Sequence, residues 1–573
     1  MQAGDPAHPS TAKGTRVVLD DLRRSRRRRR IEDFDVGEAV YKVYVTAIVG
    51  GISVWFAAQA VGGRRVAPHA VAQALLDGPR LVGACVAAVV LVGLRSGLRG
   101  GPLALESAFV RHVLLAPVDR NAALRVPAWR LVRFGSAAAS GVGAVAGLLA
   151  YRRLGGNWAA WVACGAAVAS LAVGAGLGTA MLVSGRGTSR RSCGVAATVV
   201  AGWSLADVLS GSSTSPATLL GEIAFWPLRL NPVGLVGAGL AVGVVLAGVA
   251  SVGGTSLEAS ARRASLVGLI RFAVTVRDLR TVVLLRRQLA QETPRRRPWL
   301  GNRTFRWVDP GSPGTPPPSV GASVGASAAV SAGGRLVLAA GWTRAWRGIL
   351  RFPAGRLARV AALSVIAGAA AYGVWDGTTP LIFVAGLALF VAGLDVTEPL
   401  AQAVDHPWAT DSYPHPRGAL MLALLPACAV AMVAVGFLGA IAAWALSGAG
   451  ASALEVAAVV WVPASLAGVA GAAISTIQGA QPTFKASDFM LPPEFLGARI
   501  ALRLLWPPLV STAGLVPLLA ARSARSDPAG AAASASLGVV VLLAVVALWV
   551  RHHDTLHQAV TASLEAPNGP GRR

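Results

Sequence analysis

Apolar positions in this chain lie in long unbroken runs, without the strict alternation of a half-buried strand. A bilayer core about 30 Å thick takes about 20 mostly apolar residues per helix, and only helices or closed barrels satisfy the backbone inside it. The runs are too long for barrel strands. They predict an all-α polytopic membrane protein with about twelve transmembrane helices. Spans are expected near 43–61, 81–95, 131–151, 158–183, 194–210 and 232–253, then 358–375, 379–396, 419–446, 453–477, 502–521 and 533–551.

Between the sixth and seventh runs the pattern changes. Leu269, Phe272, Val276, Leu279 and Val283 recur at three and four spacing, with Arg271, Arg277, Arg280, Arg286 and Arg287 on other faces. That is a basic amphipathic helix pattern. A Pro/Gly/Ser/Ala-rich tract from Pro310 to Gly334 follows, with too little apolar surface to offset its ordering entropy. The expected organisation is therefore a cytoplasmic N-terminal region with an interfacial helix (1–42), a first six-helix half (43–258), a basic cytoplasmic segment (259–308), a flexible linker (309–340) and a second six-helix half (341–573). Span centres in the halves are offset by about 300 residues, an architectural repeat.

Composition agrees with this reading and adds a direction. Of 573 residues, 54% are hydrophobic and 14% charged, and the net charge of +26 is carried almost wholly by arginine. The arginines punctuate apolar runs and form no aromatic-interleaved groove, which argues against nucleic acid as a partner and for the lipid bilayer. Loops rich in Lys and Arg stay on the cytoplasmic side. Arg23, Arg24 and Arg26 to Arg30 place the N-terminus there, and alternation over an even span count returns the C-terminus to the same side. Arg64, Arg65, Arg152, Arg153, Arg522 and Arg525 fall on the other side as exceptions. The expected location is a bacterial cytoplasmic membrane.

Candidate chemistry is sparse. None of Lys13, Lys42 and Lys485 is followed by Ser or Thr, so no phosphate-binding loop is present. Cys85, Cys164, Cys193 and Cys428 show no paired spacing, and His552, His553 and His557 have only Asp554 as a nearby carboxylate. The expectation is a protein that is not an enzyme, with no catalytic residues, cofactor or metal. Asp207, an acid in the fifth run, is a candidate for a translocation path because charged groups in membrane helices face the bundle interior or water.

Three cytoplasmic elements stand out: Ile31 to Tyr44, the basic segment after the sixth run, and Leu105 to Arg130 between spans two and three. The last is centred on Leu114-Leu115-Ala116-Pro117-Val118-Asp119-Arg120, and its counterpart in the second half contains Glu398, Asp405 and His406. The order of an interfacial helix, two spans, a short cytoplasmic segment and four more spans resembles the membrane subunits of type-2 ATP-binding-cassette exporters. The Leu-x-x-Pro-Val-x-Arg phrase is similar to those found at that position in permease-like proteins of GC-rich bacteria. The resemblance implies two fused half-permeases energised by a separate ATPase subunit, docked through Pro117, Val118, Asp119 and Arg120 and, in the second half, Glu398, Asp405 and His406. That second loop is acidic and lacks the Pro-Val-x-Arg phrase. A twelve-span secondary transporter and a non-transporting membrane scaffold are the alternatives; the scarcity of intramembrane ionisable residues disfavours the first.

Overall fold

A computed structural model describes residues 44, 68–116, 119–258, 260, 261, 264, 326–406, 416–448, 450–479, 505–524 and 526–565. The described residues are helical and contain no β-strand, and the chain divides into two compact units, Met1–Phe272 and Ala273–Arg573. The protein is an all-α polytopic membrane protein. The expected first span, 43–61, the interfacial helix before it and most of the basic segment 259–308 lie outside the described residues.

In the first unit the helices are α1 (Pro68–Leu98), α2 (Ser107–Phe109, running into a π-helical turn Val110–Leu114), α3 (Arg120–Leu154), α4 (Trp158–Gly185), α5 (Arg190–Ser210), α6 (Pro216–Glu222, extended by a turn Ile223–Phe225) and α7 (Gly234–Ala250). Their starts follow local chemistry. Asn157 and Ser189 cap α4 and α5 by accepting the amides of Ala159 and Ser192 at 2.9 and 3.1 Å. Ser215 caps α6, with Pro216 in the first turn where its missing N–H costs nothing.

The helix α4 is central, packed by α1, α3 and α7. It meets its neighbours through glycine. A Cβ at Gly143 on α3 would collide with the carbonyl of Gly165 on α4, and one at Gly248 on α7 with that of Gly178. Inside lipid, where burying an apolar side chain gains little over leaving it in hydrocarbon, such backbone approach supplies the van der Waals contact that joins helices.

The second unit contains α8 (Ala326–Leu350), α9 (Ala354–Trp375), α10 (Leu381–Val396), α11 (Glu398–Asp405), α12 (Arg417–Leu446), α13 (Ala451–Gly479), α14 (Val516–Ser523) and α15 (Pro528–Glu565), and residues 505–513 are helical too. Here α13 is the most buried of the candidate spans. Its Trp461 is buried, with the indole over Gly439 of α12, in a core shared with Val360, Ala367, Leu389 and Met432.

Two expectations change. Among the described residues eight helices are long and apolar enough to cross a membrane, or nine if the bent pair α10 and α11 is one span, so the expected count of twelve is not confirmed. The runs at 232–253, 379–396 and 502–521 appear as a 17-residue helix, a 16-residue helix that bends by 59° into α11, and helices separated by a turn at Gly514 and Leu515. Hydropathy averages across such breaks, whereas Pro399, in the first turn of α11, supplies no N–H to continue the ladder of α10.

The second change concerns the linker expected over 309–340, since helix α8 begins at Ala326, inside it. Its Ala345 and Ile349 are buried in the second unit, and Trp342 and Trp346 meet edge to face at 5.8 Å. Alanine and leucine favour a helix, and that preference was diluted by the Pro/Gly/Ser composition of the tract before it. Residues 309–325 lie outside the described residues.

The glycine contact carries a prediction. Gly143→Leu must push α3 off α4, at a cost of about 1–3 kcal/mol for overpacking, and should lower the melting temperature of the purified chain in detergent. Gly141→Ala, two residues away with open space around it, should leave melting unchanged; equal behaviour of the two variants would remove the contact from the stability of the unit.

Candidate functional site

Each unit places a short helix directly after a long apolar one and tucks it into its own core. In the first unit α1 is followed by Gly100 and Gly101, both at positive φ, and the chain turns back so that Leu105, Val110 and Leu114 are buried with Leu124, Ala128, Met181 and Val249. The π-helical turn shifts the register by one residue, leaving Arg111, His112 and Leu115 exposed.

Of the four residues expected to dock a partner here, Pro117 and Val118 lie outside the described residues. Asp119 caps α3, its Oδ1 accepting the amide of Asn121 at 3.0 Å, while the Asn121 side chain accepts the amide of Gly253 at 2.9 Å. The start of α3 is thus tied to the end of α7. Arg120 is exposed beside it.

The counterpart in the second unit is α11. Leu400, Ala403 and Val404 enter a core with Leu424, Ala427, Ile474 and Val550. Gln402 and His406 are exposed, and Asp405 is half-buried. The bend before α11 is clamped by two arginines one turn apart at the start of α9: Arg359 makes a two-pronged ion pair with Asp395, and Arg356 lies 3.8 Å from Glu398. Both carboxylates flank the bend. Arg356 also stacks over Phe352, with the guanidinium 4.7 Å from the ring centre. Glu398 therefore has a structural partner, which sequence reasoning did not assign. Arg-x-x-Arg opening one apolar run, opposite Asp-x-x-Glu closing the next, was the available signal.

Asp207 is fully buried in the last turn of α5. Its carboxylate accepts Ser212 Oγ at 2.7 Å, Thr214 Oγ1 at 2.8 Å, the Thr214 amide at 3.1 Å and the Ser215 amide at 2.7 Å. Gly211, at φ +75°, lets the chain reverse so that these donors converge. On the other side of the loop the Arg80 guanidinium of α1 donates to the carbonyls of Gly211 and Ser212 and pairs with Asp77 at 2.8 Å. The group expected to face a translocation path holds the connection between α5 and α6. Arg80, Ser212, Thr214 and Ser215 complete this network; the hydroxyl-rich stretch after Asp207 was their trace in the sequence.

Arg522 has a similar task at the end of α14, donating to Thr379 Oγ1 at 2.9 Å in the loop between α9 and α10. Among the described residues no three His, Cys, Asp or Glu side chains converge in a metal-binding arrangement.

Substituting Asp207 tests the loop assignment. Asp207→Asn presents an amide donor where backbone and hydroxyl donors now point, and hydrogen bonds to a charged group contribute about 1.5–3 kcal/mol. A lower melting temperature in detergent is expected for this variant and a larger fall for Asp207→Ala. Unchanged melting in both would release Asp207 from this role. No protein-family model, curated protein or solved structure matches the chain.

Proposed function

We propose that this chain is the membrane-spanning permease component of an exporter energised by a separate ATP-binding-cassette ATPase subunit. We place it in the cytoplasmic membrane of a bacterium with both termini in the cytoplasm. The observation that carries the reading is the short helix repeated in the two units, α2 after α1 and α11 after α10, each with apolar residues sunk into its own core. A rigidly seated segment of this kind can transmit a push from a soluble partner into the helices behind it. In the second unit α8, with its paired tryptophans, precedes the α9–α10 hairpin and α11, in the order that the resemblance implies.

Charge supports the same orientation. The end of the first unit that carries α2 also carries Arg95, Arg99, Arg111, Arg120, Arg125 and Arg130, as cytoplasmic loops do. The docking residues are then Pro117, Val118 and Arg120 with Arg111 of α2, and in the second unit Asp405 and His406. Asp119 and Glu398 position these segments through the cap and the clamp described above.

The test is co-purification of an ATPase subunit from native membranes. Arg111→Glu and Arg120→Glu should each release the partner, because unpairing a desolvated interfacial charge costs about 2–5 kcal/mol, while the variants still insert and melt as wild type does. Asp119 is a poor site for the test, since losing its cap costs about 1 kcal/mol of helix stability by itself. Recovery of no ATPase with the wild type, or full retention by both variants, would end the assignment.

A further inference from the structure

The helix α3 is 35 residues long, about 52 Å at 1.5 Å per residue, and so overruns a hydrocarbon core of about 30 Å. Its charges mark where that core lies. No charged residue occurs between Arg133 and Arg152, a separation of about 28 Å along the axis. Arg133 therefore stands at one edge of the hydrocarbon, and Trp129 and Arg130 lie about 5 Å further out, at headgroup depth.

The faces of α3 divide sharply. Leu124, Ala128 and Val132 are buried in the core of the unit, whereas Arg125, Trp129 and Arg133, one position further along, form an exposed stripe with Arg130 beside it. Trp129 is 40% exposed, and Arg133 lies over the ring of Phe134, which is 66% exposed. Among the described residues no carboxylate forms an ion pair with Arg125, Arg130 or Arg133.

The second unit shows that anchoring a long helix does not require such a stripe. There α12, which follows the corresponding short helix, carries no Lys or Arg beyond Arg417, and Arg356 and Arg359 of α9 are neutralised by Glu398 and Asp395. In the first unit no described carboxylate supplies the counter-charge at headgroup depth.

We propose that Arg130 and Arg133, flanked by Trp129 and Arg125, form a binding site for the phosphate of an anionic phospholipid in the leaflet on the α2 side. A guanidinium grips phosphate oxygens with two parallel hydrogen bonds. The indole of Trp129 suits the same depth, with an apolar body against acyl chains and an N–H toward water.

The full-length chain, purified in detergent with equal amounts of phosphatidylglycerol and phosphatidylcholine, is examined by native mass spectrometry. The wild type should retain phosphatidylglycerol preferentially. In Arg130→Gln/Arg133→Gln that retention should fall roughly twenty-five-fold, about fivefold for each charge removed, with melting unchanged. The single variants, each expected to lose about fivefold, serve if the double variant fails to fold. Arg190→Gln/Arg191→Gln, which removes two charges at the start of α5, should retain the lipid. Equal loss in both double variants would reduce the effect to a general basic field and overturn the site. Displacement of the lipid by inorganic phosphate would assign the site to a soluble anion instead. Absence of bound lipid from the wild type, with an acidic protein lost only from the Arg130/Arg133 variant, would make the stripe a protein contact.

Discussion

Helices in a bilayer gain little by hiding apolar side chains from one another, because the surrounding lipid tails are as apolar as leucine. What joins them is the closeness with which their surfaces meet, and in this protein glycine allows backbone to meet backbone. Gly143 against Gly165, and Gly178 against Gly248, bring α3 and α7 onto α4. The rest of the first unit is built around that central helix. In the second unit the same principle operates with a large partner, since the missing side chain at Gly439 gives the Trp461 indole its place between α12 and α13.

The same medium governs the polar groups. A charge in a water-poor interior is costly, so a buried carboxylate has to bring donors to itself. Asp207 gathers hydroxyls and amides from a loop that would otherwise carry unsatisfied groups between α5 and α6. At the bend between α10 and α11, two arginines on α9 neutralise two carboxylates and hold the short helix against its core. The few ionisable side chains placed at these breaks thus set the angles at which the apolar helices turn. Among the described residues Arg125, Arg130 and Arg133 on α3 form no such ion pair, and the proposed phospholipid would supply their negative charge.

Much of the architecture was legible in the chain. Hydropathy placed most of the long helices, several to within a few residues: the run expected at 158–183 is the helix Trp158–Gly185, and that at 419–446 is Arg417–Leu446. The division into two units and the short segments around Leu105 to Arg120 and Glu398 to Asp405 were also visible. Less legible were the breaks. The run at 379–396 stops after 16 residues and bends into α11, and the tract expected as linker to residue 340 becomes helix from Ala326, because the average over a window conceals one proline or a string of alanines.

What the sequence determined by itself is the medium and the secondary structure. Both follow from sums over neighbouring residues, since length and hydropathy decide which segments enter lipid, and a lipid interior requires those segments to satisfy their own backbone as helices. The roles of the charged residues were decided by tertiary structure alone. Arg80 reaches Gly211 across 131 positions, Arg359 meets Asp395 across 36, and Asp207 gathers the donors of its own loop. A carboxylate has one composition whether it lines a channel or caps a turn, and only the donors that folding brings within hydrogen-bonding distance separate the two.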